Sequence, residues 1–308
     1  QNIMTIEYNL GVIGAGSYGT ALAMSTAGKG FPVILYSHTK STAEELQKSR
    51  VNQKYLPEIR FPDTLSVTSD LEELVPSTSI ILVVVPSHAF AGTLKELSPL
   101  LTDRHKLAWA TKGMDLSSGR LLSDVAYEIL GSDMPKAVLS GPTFAIELAR
   151  GMPTAIALAG TDQNFNREFI ELMHTHTFRI YESHDLIGMQ LGGTVKNVIA
   201  IGTGLSDGLG FGANARTALI SRGIAEMTRL GVAFGATEKS FTGLSGLGDL
   251  ILTCTDDKSR NRRFGFFLGQ GLTCSDALEK IGQVVEGYAM SKVIRQLCER
   301  YQVQMPIC

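Results

Sequence analysis

The sequence predicts an α/β protein in two parts. A domain of alternating strands and helices is expected over residues 1–185, and an all-α domain over 186–308. Three observations lead there. Short apolar runs suited to buried parallel strands recur between helical stretches up to about Ser183, and such runs vanish beyond it. The first run also leads directly into a glycine-rich turn and a helix.

Leu10, Val12 and Ile13 make that first strand. Gly14-Ala15-Gly16-Ser17-Tyr18-Gly19 follows as G-x-G-x-x-G, and Thr20 to Lys29 continues as helix. The first glycine permits a tight turn, the second lets a pyrophosphate approach the backbone, and the third lets helix and strand pack closely. The helix N-terminus offers its N–H groups to the anion. With a strand before it and a helix after it, the motif reads as a dinucleotide site.

Pro32 to Tyr36 is the second strand. An Asp or Glu at its end would bond the adenosine ribose hydroxyls. This chain has Ser37-His38-Thr39-Lys40 instead, and Glu44 is the first acid. That leaves room for a 2′-phosphate, so NADP tolerance is the reading. Ser79 to Val85 is the strongest strand, ending at Pro86-Ser87-His88, on the carboxyl-end rim where open α/β sheets bind ligands. Lys106 to Ala110 runs into Thr111-Lys112-Gly113, where Lys112 is either solvated or a ligand contact. Lys136 to Leu139 leads into Ser140-Gly141-Pro142-Thr143-Phe144-Ala145, a third polar loop. Pro142 suits the first turn of a helix, with Ser140 or Thr143 as its cap. Two further strands, Thr154 to Leu158 and Thr177 to Tyr181, flank a helix over Asn164 to His174, with His174 and His176 as surface residues.

Asp185 to Leu205 reads as one long helix containing Gly188, Gly192 and Gly193. A glycine inside a helix costs about 1 kcal/mol relative to Ala, so these imply close approach of a ligand or another backbone. Lys196 and Asn197 sit among Val195, Val198 and Ile199. Lys196 either snorkels to solvent or is held desolvated, which favours the neutral amine and proton transfer. Ser206 to Ala215 reads as a glycine-rich loop before a helix over Arg216 to Leu230, and Phe241 to Asp249 introduces another helix at Leu250. Asp256 to Arg263 reads DDKSRNRR, and from Cys274 to Val303 the chain is helical with a turn at Val284 to Gly287. The basic cluster lacks interleaved aromatics, so an anion pocket built from Arg260 and Asn261 suits it better than nucleic acid.

Among 308 residues, 44% are hydrophobic and 19% charged, with a net charge of −2. That balance gives no general attraction to nucleic acid or an anionic membrane. The run Ile80 to Val85 is far too short to span a bilayer, and Gln1 to Glu7 does not read as a signal peptide. Residues ahead of Met4 read as an added remnant. The four cysteines, at 254, 274, 298 and 308, show neither C-x-x-C nor a close His and read as reduced thiols. No metal and a cytoplasmic location are expected.

Taken together, GAGSYGTALA (14–23), TKG (111–113), SGPTFA (140–145), LGGTVKNVIAI (191–201), DGLGFGANAR (207–216), GLGDL (246–250), SRNRRFG (259–265) and VVEG (284–287) resemble the bacterial NAD(P)-dependent glycerol-3-phosphate dehydrogenases in order and spacing. The resemblance implies a Rossmann-type N-terminal domain, an all-α C-terminal domain, and a cytosolic homodimer. It also implies NAD or NADP as cofactor, with glycerol 3-phosphate and dihydroxyacetone phosphate as small-molecule substrates for phospholipid synthesis. By it Lys196 is the proton acceptor, aided by Asp249 and Lys112. Gly141, Thr143, Ser259, Arg260 and Asn261 join those three around the substrate. Gly14, Gly16, Ser17, Tyr18, Gly19, His38, Lys112, Ala145, Arg260, Val284 and Glu286 line the cofactor. Position 18, often Trp in the family, is Tyr here, and family members continue into further helix beyond the position of Cys308. Two rivals share parts of the pattern. Dehydrogenases of hydroxyacyl-CoA or sugar acids leave SRNRR unexplained, and a non-catalytic NADP-binding redox sensor needs the glycine loop without Lys196, Asp249 and Arg260.

Overall fold

A computed structural model describes residues 7–308. The remnant expected ahead of Met4 and most of the polar opening stretch lie outside the described residues. The chain divides into two compact units: one up to Thr111 with Ser123–Leu139 and Thr143–His184, the other Lys112–Leu122, Ser140–Pro142 and Asp185–Cys308. A single boundary near 185 therefore omits two short segments that group with the helical unit. The reason is visible in the first of them: Met114 and Leu121 pair across an isolated bridge and are buried in the helical unit's core with Val195 and Leu250.

The first unit holds β1 (Leu10–Ile13), α1 (Ser17–Ala27), β2 (Val33–Tyr36), α2 (Lys40–Ser49), β3 (Leu65–Thr68), α3 (Leu71–Ser77), β4 (Ile80–Val83), α4 (Ser87–Leu97), β5 (Lys106–Trp109), α5 (Leu122–Leu130), β6 (Lys136–Ser140), α6 (Ala145–Ala149), β7 (Thr154–Gly160), α7 (Gln163–Met173) and β8 (Phe178–Glu182). The sheet order is β3-β2-β1-β4-β5-β6-β7-β8. β1 and β4 are buried along their whole length and lie side by side, Gly11 opposite Ile81. Their unbroken apolar sequences fit a parallel strand covered on both faces. The Thr161 N–H donates to the Lys136 carbonyl, so the end of β7 lies beside the start of β6 and β7 runs against it. β8 is parallel to β7. Asp70 and Asp162 cap α3 and α7 by accepting the Glu72 and Phe165 N–H groups. α6 begins later than expected, with Phe144 at its cap position rather than Ser140 or Thr143.

The second unit contains α8 (Leu186–Gly208), α9 (Gly212–Ala233), α10 (Asp249–Thr255), α11 (Arg260–Gly269), α12 (Cys274–Ile281) and α13 (Glu286–Tyr301). Asp185 caps α8, accepting N–H groups from Gly188 and Thr237, both at 2.8 Å. The loop expected over Ser206 to Ala215 shrinks to Leu209–Phe211, because Gly208 serves helix packing and only Gly210 and Gly212, at φ +80° and +82°, make the turn. A Cβ on Gly204 would lie 1.9 Å from the Arg262 carbonyl oxygen, and one on Gly208 2.3 Å from that of Phe266. The contact is reciprocal: Gly265 and Gly269 of α11 press equally closely on the carbonyls of Ile201 and Leu205. Gly192 likewise meets the Ser245 backbone, so its partner is another backbone.

Among the described residues all four cysteines are free thiols, and burial pushes the Cys254 thiol up to about 12. Among those residues no helix is long and apolar enough to cross a membrane, and no group of His, Cys, Asp and Glu is placed to hold a metal ion.

Gly204→Ala and Gly265→Ala are expected to destabilise the protein by about 2–3 kcal/mol, because backbone on the facing helix cannot move aside. Gly202→Ala, whose new methyl would meet only Ile307 at 3.7 Å, should be neutral or stabilising by up to about 1 kcal/mol. Thermal and denaturant unfolding of the three variants checks the contrast.

Candidate active site

In the sheet unit, β1 and β4 are neighbours where the strand order reverses, the switch point at which such sheets hold ligands. The loop leaving β1 divides its work among three glycines. Gly14 has φ +120°, and a Cβ there would lie 2.1 Å from the Val84 carbonyl oxygen. Gly19, on α1, faces the Gly14 carbonyl so closely that a Cβ would lie 1.9 Å from it. Gly16 faces the other way: its Cβ would meet no described atom within 4 Å. Gly16 also caps α1 without a side-chain acceptor, so no capping side chain covers the positive end of the helix. A bare, open glycine at a helix start fits a dinucleotide pyrophosphate.

Around this loop the other cofactor candidates fall on separate segments. His38 lies exposed in the bend after β2, beside Lys40, which is paired loosely with Glu44 at 4.0 Å. No acid follows β2 before Glu44. Thr143 precedes α6 and Ala145 is its first residue.

In the helical unit, three charges converge. Lys196 lies mid-way along α8 among Val195, Val198 and Ile199, all buried. Asp249 starts α10, after a wide π-helical turn over Leu244–Gly248. Its Oδ1 is 2.5 Å from Lys196 Nζ and its Oδ2 is 3.6 Å from Lys112 Nζ. The Lys196 and Asp249 side chains are only 5% and 1% exposed, which decides between a snorkelling and a desolvated lysine. Burial lowers the Lys196 pKa to about 8; Asp249 opposes the shift and Lys112 adds to it. Oδ2 of Asp249 accepts no hydrogen bond from the described residues. Two ammonium groups on one carboxylate leave the cluster short of negative charge, as suits an oxyanion or a hydroxyl losing its proton.

The basic segment sorts its residues. Ser259 caps α11 by accepting the Arg262 N–H at 3.2 Å. Arg262 is consumed internally, bonded to Asp207 at 2.6 Å and to Asp257, while Arg216 also reaches Asp207 at 2.9 Å. Arg260 is partly exposed, with Gln283 Oε1 at 3.4 Å from Nη1. Asn261 is buried: its Nδ2 donates to Asn197 Oδ1 at 3.0 Å and its Oδ1 accepts the Gly287 N–H at 2.9 Å. Glu286 opens α13 with Oε2 3.4 Å from Asn197 Nδ2, and Val284 is half exposed just before it. Asn197 thus links the helix of Lys196 to two other site segments. Its place beside Lys196 was the only signal for that. Gly141 follows β6, within the segment that joins this unit.

The NAD-dependent glycerol-3-phosphate dehydrogenase N-terminus matches residues 9–166 and its C-terminus residues 185–308. Glycerol-3-phosphate dehydrogenase (NAD(P)+) of Tolumonas auensis is 57% identical over 300 residues, 97% of this chain and 90% of that protein. The Escherichia coli K12 protein of the same name is 57% identical over 297 residues, 96% of this chain and 88% of its own. The crystal structure of glycerol-3-phosphate dehydrogenase from Coxiella burnetii superposes with a TM-score of 0.94 at 44% identity, covering 98% of this chain and 92% of that one. With both halves matched along nearly their full length, the chain belongs to the NAD-dependent glycerol-3-phosphate dehydrogenase family.

Proposed function

We infer that this oxidoreductase interconverts sn-glycerol 3-phosphate and dihydroxyacetone phosphate with NAD or NADP. The observation that carries the reading is the buried Lys196–Asp249 pair with Lys112 beside it, in a chain 57% identical to curated enzymes of that name. A bound nicotinamide supplies or accepts the hydride at C2 of the substrate. Lys196 handles the accompanying proton. As an ammonium it donates to the developing alkoxide in reduction, and as a neutral amine it takes the hydroxyl proton in oxidation. A pKa of about 8 lets one side chain serve both directions near neutral pH. Asp249 holds Lys196 in place and Lys112 adds positive charge beside the reacting oxygen. Ser259, Arg260 and the start of α11 are assigned to the substrate phosphate, with Asn261 fixing that helix end. Gly141 and Thr143 complete the substrate contacts. Gly14, Gly16, Ser17, Tyr18, Gly19, His38, Ala145, Val284 and Glu286 serve the nucleotide, the sheet unit being its principal holder. The enzyme acts in the cytoplasm as a homodimer and supplies glycerol 3-phosphate for phospholipid synthesis; the resemblance to bacterial relatives supports this part.

Lys196→Ala is expected to lower turnover by about 10²–10⁴-fold while leaving nucleotide binding intact. In the wild type, glycerol 3-phosphate oxidation should rise with pH to a plateau above about 8, because the neutral amine is the base, and ketone reduction should fall over the same interval. Asp249→Asn removes the charge that raises the Lys196 pKa, so the inflection moves to lower pH; Lys112→Met moves it higher. An oxidation profile flat from about pH 6.5 to 9.5 would exclude Lys196 as the base.

Arg260→Ala should raise KM for dihydroxyacetone phosphate by about tenfold or more and also lower kcat, since phosphate binding orients the reacting carbon. Initial rates with the phosphorylated and unphosphorylated ketone check it: the variant's loss should be confined to the phosphorylated one. Lys40→Glu should lower kcat/KM for NADPH by about tenfold relative to NADH, measured as parallel loss of reduced-nicotinamide absorbance.

A further inference from the structure

The stretch between α2 and β3 carries no recognisable motif, yet one of its side chains reaches the glycine loop. Asn52 is 3% exposed. Its Nδ2 donates at 3.0 Å to the carbonyl of Ala15, between Gly14 and Gly16, and at 3.0 Å to Thr20 Oγ1 in α1. A backbone carbonyl only accepts, so this contact settles which way the amide faces. Asn52 is itself held: its main-chain carbonyl accepts the N–H groups of Tyr55 at 3.2 Å and Leu56 at 2.8 Å, and Leu56 and Phe61 are anchored in the core. Thr20 is fully buried and its own N–H donates to the Gly16 carbonyl.

We propose that Asn52 is a positioning residue for dinucleotide binding, acting through the Ala15–Gly16 peptide. In a trans peptide the C=O and the following N–H point in opposite directions within one plane. Drawing the Ala15 carbonyl inward to Asn52 therefore turns the Gly16 N–H outward, on the side where Gly16 is bare. It also removes a carbonyl oxygen that would repel a phosphate there. This rests on the reading of the loop as the dinucleotide site.

Asn52→Asp preserves shape but replaces the donor with an oxygen that repels the Ala15 carbonyl. Fluorescence titration of the full chain with NADH and NADPH should give Kd values raised by about tenfold or more, with KM for the nucleotide following. At saturating nucleotide, kcat and KM for dihydroxyacetone phosphate should stay within about twofold, which a general loosening would not allow. Thr64→Val is the control: it deletes the Thr64 hydroxyl bond to the Ala27 carbonyl at the far end of α1 and should lower the melting temperature with Kd unchanged. Should the Asp variant fail to fold, Thr20→Val removes one of the two acceptors of the same amide and should raise Kd by a few-fold, on the order of one lost hydrogen bond. Nucleotide binding as tight as wild type in the folded Asn52→Asp protein, or in Thr20→Val if that alone folds, overturns the proposal. So does an equal loss in Thr64→Val. A wild-type chain that binds neither nucleotide overturns the reading of the loop itself.

Discussion

The helical unit depends on the crossing of α8 and α11, where glycines on each helix admit the other's carbonyls. No side chain stands between the two backbones at Gly204 and Gly265, so the helices have little freedom to slide or roll. Lys196 lies eight residues, about 12 Å, before Gly204 on one helix, and Arg260 stands at the head of the other. The crossing thus sets the span between Lys196, proposed to handle the proton, and Arg260, proposed to hold the phosphate. The Asn197–Asn261–Gly287 hydrogen bonds fasten the same helices beside Lys196 and Arg260. Chemistry placed on rigid elements keeps its distances better than chemistry placed on loops.

Within that frame, incomplete pairing matters as much as pairing. Asp249 lies between two lysines, yet the carboxylate does not keep Lys196 at an ordinary lysine pKa, because desolvation outweighs the attraction. A second carboxylate would have held the amine firmly protonated. Arg262 shows that opposite case, with Asp207 and Asp257 both bonded to its guanidinium. Two arginines separated by a single residue therefore have different fates: Arg262 is paired with two carboxylates, while Arg260, partly exposed beside Gln283, is the one proposed to meet an anion.

Much of the fold was legible because it rests on local pattern. The apolar runs of β1, β4 and β5, the glycine spacing after β1 and the disappearance of strands beyond Ser183 are short-range signals with direct physical meaning. What could not be read depends on contacts distant in sequence. Gly208 looks like a loop glycine, and Gly204 an unexplained one in a helix, until α11 is packed on them. The environment of Lys196 required Asp249, 53 positions on, and its burial decided what an apolar neighbourhood alone had left open. Nothing in the spacing of SRNRR separates Arg260 from Arg262, and Asn52 sits in a stretch with neither period nor motif. Glu226 is a similar case: wholly buried, its carboxylate accepts the N–H groups of Ile307 and Cys308.

The cysteines carry a chemical consequence of burial. A thiolate is the form that oxidants and alkylating agents attack, so a thiol pushed up to about 12 and sealed from water is inert. Cys254 lies in α10, the helix that Asp249 begins, so the thiol nearest in sequence to the proposed proton-handling pair is a protected one. Cys298 and Cys308 are also raised by burial and by Glu226. Cys274, exposed at the start of α12, is left as the accessible thiol, the one a maleimide dye or an oxidant is expected to mark first in the native chain.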